Sequence, residues 1–120
     1  MGLKLLTNMD PHLCLKLAWR LAQDRGYSLT PLTENCKRFT ASKGNMIVGV
    51  LAGALAPRCV LEVSVETYPD ANELVVESNS PWLSGAGGVR KVKQQAEELM
   101  DATVSAIEKE GGKIIERKEF

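Results

Sequence analysis

The sequence predicts an α+β domain: a mainly antiparallel sheet with two helices packed on one face, in the order β-α-β-β-β-β-β-α-β. Three observations carry this. Between Val60 and Ser78, Leu61, Val63 and Val65 alternate with Glu62, Ser64 and Glu66, and Leu74 and Val76 continue the alternation after a turn. Two stretches, Asp10–Gly26 and Val89–Gly112, instead repeat apolar residues at helical spacing. Finally, 120 residues with 44 % apolar and 25 % charged content suit one domain with its own core, residues 1–120.

The chain opens with Leu3-Lys4-Leu5-Leu6-Thr7, a short strand with Leu3 and Leu5 on one side. Asp10-Pro11 begins the first helix, since Asp accepts from unpaired N–H groups and Pro has no donor to lose there. Leu13, Cys14, Leu17 and Leu21 form a stripe that Leu15, Ala18, Trp19 and Ala22 widen past half the circumference. One sheet face does not require so wide an arc. The sequence therefore places Leu15 and Trp19 against something further, a loop of the same chain or a second subunit. Gly26 suits the helix end.

Tyr27–Leu32 reads as an edge strand, demoted by Pro31, and Cys36–Ala41 as the next strand. Ser42-Lys43-Gly44-Asn45 reads as a hairpin turn leading to a doubly buried strand from Met46 to Leu51. The central hairpin turns at Thr67–Asn72, where Pro69, Asp70 and Asn72 are turn formers. Its dry face is Leu61, Val63 and Val65, and its wet face Glu62 and Glu66. The second helix, read as starting at Val89, gathers Val89, Val92, Ala96, Leu99, Met100, Thr103, Ala106 and Ile107 within about 100° of arc. Lys113–Phe120 closes the chain as a strand.

Lys plus Arg and Asp plus Glu each number 15, so no net field favours nucleic acid. Few aromatics, not interleaved with basic residues, argue against a single-strand stacking surface. Residues 1–60 are net +5 and residues 61–120 net −5, which suits two faces that pair within the fold or a surface that meets a second copy. Cys14, Cys36 and Cys59 form no Cys-x-x-Cys pair, and His12 is the single histidine, so no metal or cofactor motif is expected. Reduced thiols and the absence of a signal-like apolar core point to a cytoplasmic protein. The longest apolar run, Met46–Ala56, is short of a membrane span.

Chemistry is best placed at Ser84-Gly85-Ala86-Gly87-Gly88, which leads into a helix carrying Arg90, Lys91 and Lys93. Backbone N–H groups and basic side chains at a helix start suit an anionic group. The segment lacks the Gly-Lys-Ser/Thr of a Walker loop and the glycine spacing of a dinucleotide site. Its plainer role is a connection whose cations pair with Glu62, Glu66 or Glu77. Glu97, Glu98 and Asp101 read as a solvated helix face, and His12 as a surface side chain. Trp19 and Trp82 suit a cavity or an interface as well as a core. The sequence favours a small non-catalytic binding or assembly module that self-associates as a dimer, with Leu15, Trp19 and Trp82 at its interface. The alternative is a protein or enzyme holding an anionic small molecule at Ser84, Gly85, Gly87, Gly88, Arg90, Lys91 and Lys93.

Overall fold

A computed structural model describes residues 2–32, 35–43, 59–78 and 86–120, with backbone alone at 59 and 86–91. Its elements are β1 (Gly2–Thr7), α1 (Pro11–Asp24), β2 (Ser28–Leu29), β3 (Arg38–Lys43), β4 (Cys59–Thr67), β5 (Asn72–Ser78), α2 (Ala86–Lys109) and β6 (Ile114–Glu119). The strands form one antiparallel sheet in the order β2-β3-β4-β5-β1-β6. The fold class expected from the sequence is the one observed, and the β4–β5 hairpin lies inside the sheet.

Cross-strand register sets the dry face. Phe39 sits opposite Val63, Val63 opposite Val76, and Val76 opposite Leu3; one step along, Val65, Leu74 and Leu5 are in line. All are buried, together with Ala41 and Leu61. Over them α2 lays Val92, Ala96, Leu99, Met100, Thr103 and Ile107, as its apolar arc predicts. Each such Leu, Val or Ile stabilises the fold by about 1.5–3 kcal/mol when fully buried. Thr103 is accommodated because its hydroxyl donates to the Leu99 carbonyl at 2.8 Å, one helical turn back.

Helix α1 is capped as expected: the Asp10 carboxylate accepts from the Leu13 N–H at 3.0 Å, and Pro11 follows it. Its buried side chains are Cys14, Leu15, Ala18 and Ala22, so the core-facing stripe is rotated from the Leu13–Leu17–Leu21 line. The wide apolar arc has a cause inside the chain. Helix α1 touches β4 and β5 beneath it, α2 on one flank, and β2 and β3 on the other. Gly26 and Gly111 follow the two helices with φ of +87°, a conformation that ends a helix at little cost only for glycine.

Three boundaries differ from the sequence reading. Ser42 and Lys43 are not in a turn; they extend β3 and pair with Val60 and Cys59. Backbone pairing decides this, since β3 and β4 are direct neighbours with no strand between them. The expected Met46–Leu51 strand lies outside the described residues. Tyr27–Leu32 contributes only Ser28 and Leu29 as strand, at the sheet edge where Pro31 does no harm. Helix α2 begins at Ala86, three residues before Val89, so Gly87 and Gly88 lie in its first turn.

The end of the sheet near the hairpin turn is tied by side chains. Thr7, fully buried, donates from its hydroxyl to the Lys113 carbonyl at 2.7 Å and accepts from the Met9 N–H at 3.2 Å. The Asn72 amide donates to the Met9 carbonyl at 2.7 Å, and the Lys113 N–H donates to the Asn8 side chain at 2.8 Å. At the far edge β6 is bulged opposite Leu6 and Thr7 and carries Glu116, Arg117, Lys118 and Glu119. Bulges and charges of this kind discourage a further strand from pairing.

Candidate functional site

Because side chains alternate along a strand, the residues between the core positions form the other face of the sheet, the outer face, on which neither helix lies. Its layout follows from the same register. The middle row runs Lys118, Lys4, Val75, Ser64, Arg38. On one side of it Glu62 stands directly opposite Glu77, and on the other Glu66 stands directly opposite Glu73. Four carboxylates thus bracket a short neutral floor of Val75 and Ser64, with cations at the two ends of that floor.

Like charges placed directly across a strand pair are unfavourable, so two such pairs on one hairpin work against the fold. One of the four is compensated: the Arg38 guanidinium donates to Glu62 at 3.1 Å. Glu66 accepts the Tyr68 hydroxyl proton at 3.1 Å. Glu73 and Glu77 have no hydrogen-bond or ion-pair partner among the described residues. Val75 is only 8 % exposed although it faces away from the helices, so this face has a sunken apolar floor.

The face is concave. A groove of about 900 Å³ runs over it, with Val75, Ser64 and the four carboxylates in its lining. One end is marked by Phe120, whose ring covers Gly2 so closely that an added Cβ would meet it. The Lys4 ammonium lies 4.7 Å from the centre of that ring, a cation held on an aromatic face. The other end is formed by Tyr68, His12, Cys36 and Lys37. The hydrogen bond to Glu66, with the charges of Glu73 and Glu66 behind it, holds the Tyr68 phenol above its ordinary pKa.

The residues singled out from the sequence are dispersed. Ser84 and Gly85 lie outside the described residues; Gly87, Gly88, Arg90 and Lys91 are described by backbone alone, in the first turns of α2. Lys93 donates to Glu119 on β6 at 2.7 Å, which raises its pKa and ties helix to strand. The expected pairing of these cations with Glu62, Glu66 or Glu77 is therefore not what Lys93 does. Leu15 is fully buried in its own chain and offers no surface. Trp19 packs against the core at one edge, its indole N–H donating to the Thr30 carbonyl at 3.0 Å. Trp82 lies outside the described residues. His12 is on the surface, as its place on the polar strip of α1 predicts.

Of the acidic patch on α2, Asp101 binds Arg117 at 2.6 Å and Glu98 lies 3.8 Å from Arg25, both links between elements. Among the described residues no group of His, Cys, Asp and Glu has metal-binding geometry. Cys14 is buried, and burial, with the nearby Asp10 charge, pushes its thiol up to about 11. No described helix is long and apolar enough to cross a membrane. Compared with known proteins, the chain matches no protein-family model and no curated sequence.

What the sequence reading missed is the outer face as a unit. The signal was present in Glu62, Glu66, Glu73 and Glu77, which straddle one hairpin with equal spacing. Reading it required knowing that Ser64 faces Val75, which fixes both glutamate pairs at once.

Proposed function

We propose that this protein is a non-catalytic binding module that takes a cationic, partly apolar molecule on the outer face of its sheet. The observation behind the proposal is the pair of directly opposed glutamate couples flanking the sunken Val75. A fold pays for such pairs in stability, and a bound positive charge turns the repulsion into attraction. The Cys14 thiol and Tyr68 phenol both hold their protons more firmly than usual, which is opposite to what a nucleophile needs. A cytoplasmic location, where thiols stay reduced, belongs to the same proposal.

Thermal unfolding at low salt with octylamine or with inorganic phosphate tests this reading. Octylamine is expected to raise Tm in a salt-sensitive way, and phosphate to leave it unchanged. A shift with phosphate alone would overturn the reading in favour of an anion held at the α2 N-terminus.

Self-association as a homodimer is the second reading, and the observation favouring it is the row Leu13, Leu17, Leu21 along α1. Leu17 and Leu21 are partly buried, while Leu13 remains 39 % exposed. Light scattering at high micromolar concentration on wild type and Leu13→Lys tests it. A dimer that becomes a folded monomer supports the reading; a monomeric wild type removes it.

A further inference from the structure

The helix layer carries a charge pattern of its own, and this step rests on the homodimer reading above. Helix α1 crosses between the parallel strands β1 and β2, and α2 between β5 and β6, so the two helices run antiparallel over one sheet face. Opposite its buried Cys14, Leu15, Ala18 and Ala22, α1 exposes Leu13, Lys16 and Arg20 in one row. Opposite its own buried stripe, α2 exposes Glu98, Asp101, Ser105 and Glu108. The surface of the layer is thus a cationic helix beside an anionic one. Lys16, Arg20 and Glu108 have no ion-pair partner among the described residues. The contact of Arg25 with Glu98 at 3.8 Å fixes how the helices are aligned. At about 1.5 Å per residue along both, Arg20 is level with the turn 101–105 and Lys16 with Glu108.

We propose that two copies of this chain dock through the helix layer about a two-fold axis parallel to the helices, so that α1 of each copy lies over α2 of the other. Such an axis leaves positions along the helices unchanged, so Lys16 meets the partner's Glu108 and Arg20 meets the partner's Asp101. A two-fold axis in the layer but across the helices would instead set α1 on α1, cation on cation. Leu13, 39 % exposed in one chain, is covered by the last turn of the partner's α2, and Ser105 keeps the middle of the contact free of bulk. Each half of the contact joins the net positive residues 1–60 of one copy to the net negative residues 61–120 of the other. Exposed ion pairs are weak singly, so association belongs at high micromolar concentration and weakens with salt.

Sedimentation equilibrium of the full chain at low and high salt, on wild type, Lys16→Glu, Glu108→Lys and the double variant Lys16→Glu/Glu108→Lys, tests this. Wild type is expected to dimerise in a salt-sensitive way, and each single reversal to raise the dimer Kd at least about tenfold. The double variant, whose charges are exchanged, is expected to recover the wild-type Kd, which a loss of folding in either single variant would not allow. Urea unfolding checks that all four proteins are folded. A dimer indifferent to salt and to both reversals would overturn docking through the helices while leaving the dimer reading intact. Single variants that dissociate without recovery in the double variant would overturn the facing of Lys16 and Glu108. A monomeric wild type at high micromolar concentration would overturn both the inference and the reading beneath it.

Discussion

Leu74 and Val75 are neighbours on one strand and belong to two differently built surfaces. Leu74 faces the helices, in line with Leu5 and Val65 and within the apolar core. Val75 faces the other way, between Lys4 and Ser64, with Glu73 and Glu77 on either side along its own strand. The dry face shows agreement between sequence and stability. The outer face shows residues that a sequence selected for stability alone would not place together. Conflict of that kind, confined to one surface of an otherwise consistent fold, is where a binding function is to be sought.

The largest effects should separate the two faces directly. Leu74→Ala should cost about 2–5 kcal/mol in a urea titration, because a buried leucine leaves a cavity that packed neighbours fill only in part. Val75→Ala should cost roughly 0.5–1.5 kcal/mol, since its site opens to the groove and water can enter. Equal losses at the two positions would mean that the outer face is core as well. Next in size is a pH effect belonging to the dry side. The folded Cys14 thiol is held up to about 11 against 9.0 for an ordinary thiol. Below about pH 9 both states keep the proton and its contribution is fully present; from 9 to about 11 the unfolded thiol alone ionises, so stability falls. Cys14→Ala should reduce this fall in unfolding free energy measured across that range. The smallest effect is expected from Gly2→Ala, where the displaced atoms are the end of the Phe120 side chain. Stability should change by less than about 1 kcal/mol, while the Lys4 side-chain proton signals should lose their ring-current shift in NMR spectra.

The sequence made the dry face legible because burial and strand or helix period leave the same mark. Leu61, Val63 and Val65, and the α2 row from Val92 to Ile107, are buried where their spacing places them. Helix α1 was harder, because an apolar arc wider than half its circumference has no unique centre. Contacts on three sides chose Leu15 and Ala18 over Leu13 and Leu17. The extension of β3 through Ser42 and Lys43 was hidden by local turn propensity, which direct pairing with β4 overrides. The outer face was hidden for a different reason. A glutamate on a strand reads as solvated whatever stands opposite it, and only cross-strand register turns Glu62, Glu66, Glu73 and Glu77 into two couples.

The central claim is that these couples oppose folding and serve binding. The measurement that tests it most directly is the urea unfolding free energy of wild type and Glu73→Gln/Glu77→Gln, each with and without octylamine. Without ligand, the double variant should be as stable as wild type or more stable by up to about 1 kcal/mol, because two direct repulsions are gone. With ligand, wild type should gain stability in proportion to the logarithm of ligand concentration over Kd, and the variant should gain little. A variant that is less stable than wild type by more than about 1 kcal/mol, yet gains as much from the ligand, would show that the carboxylates support the fold and bind nothing.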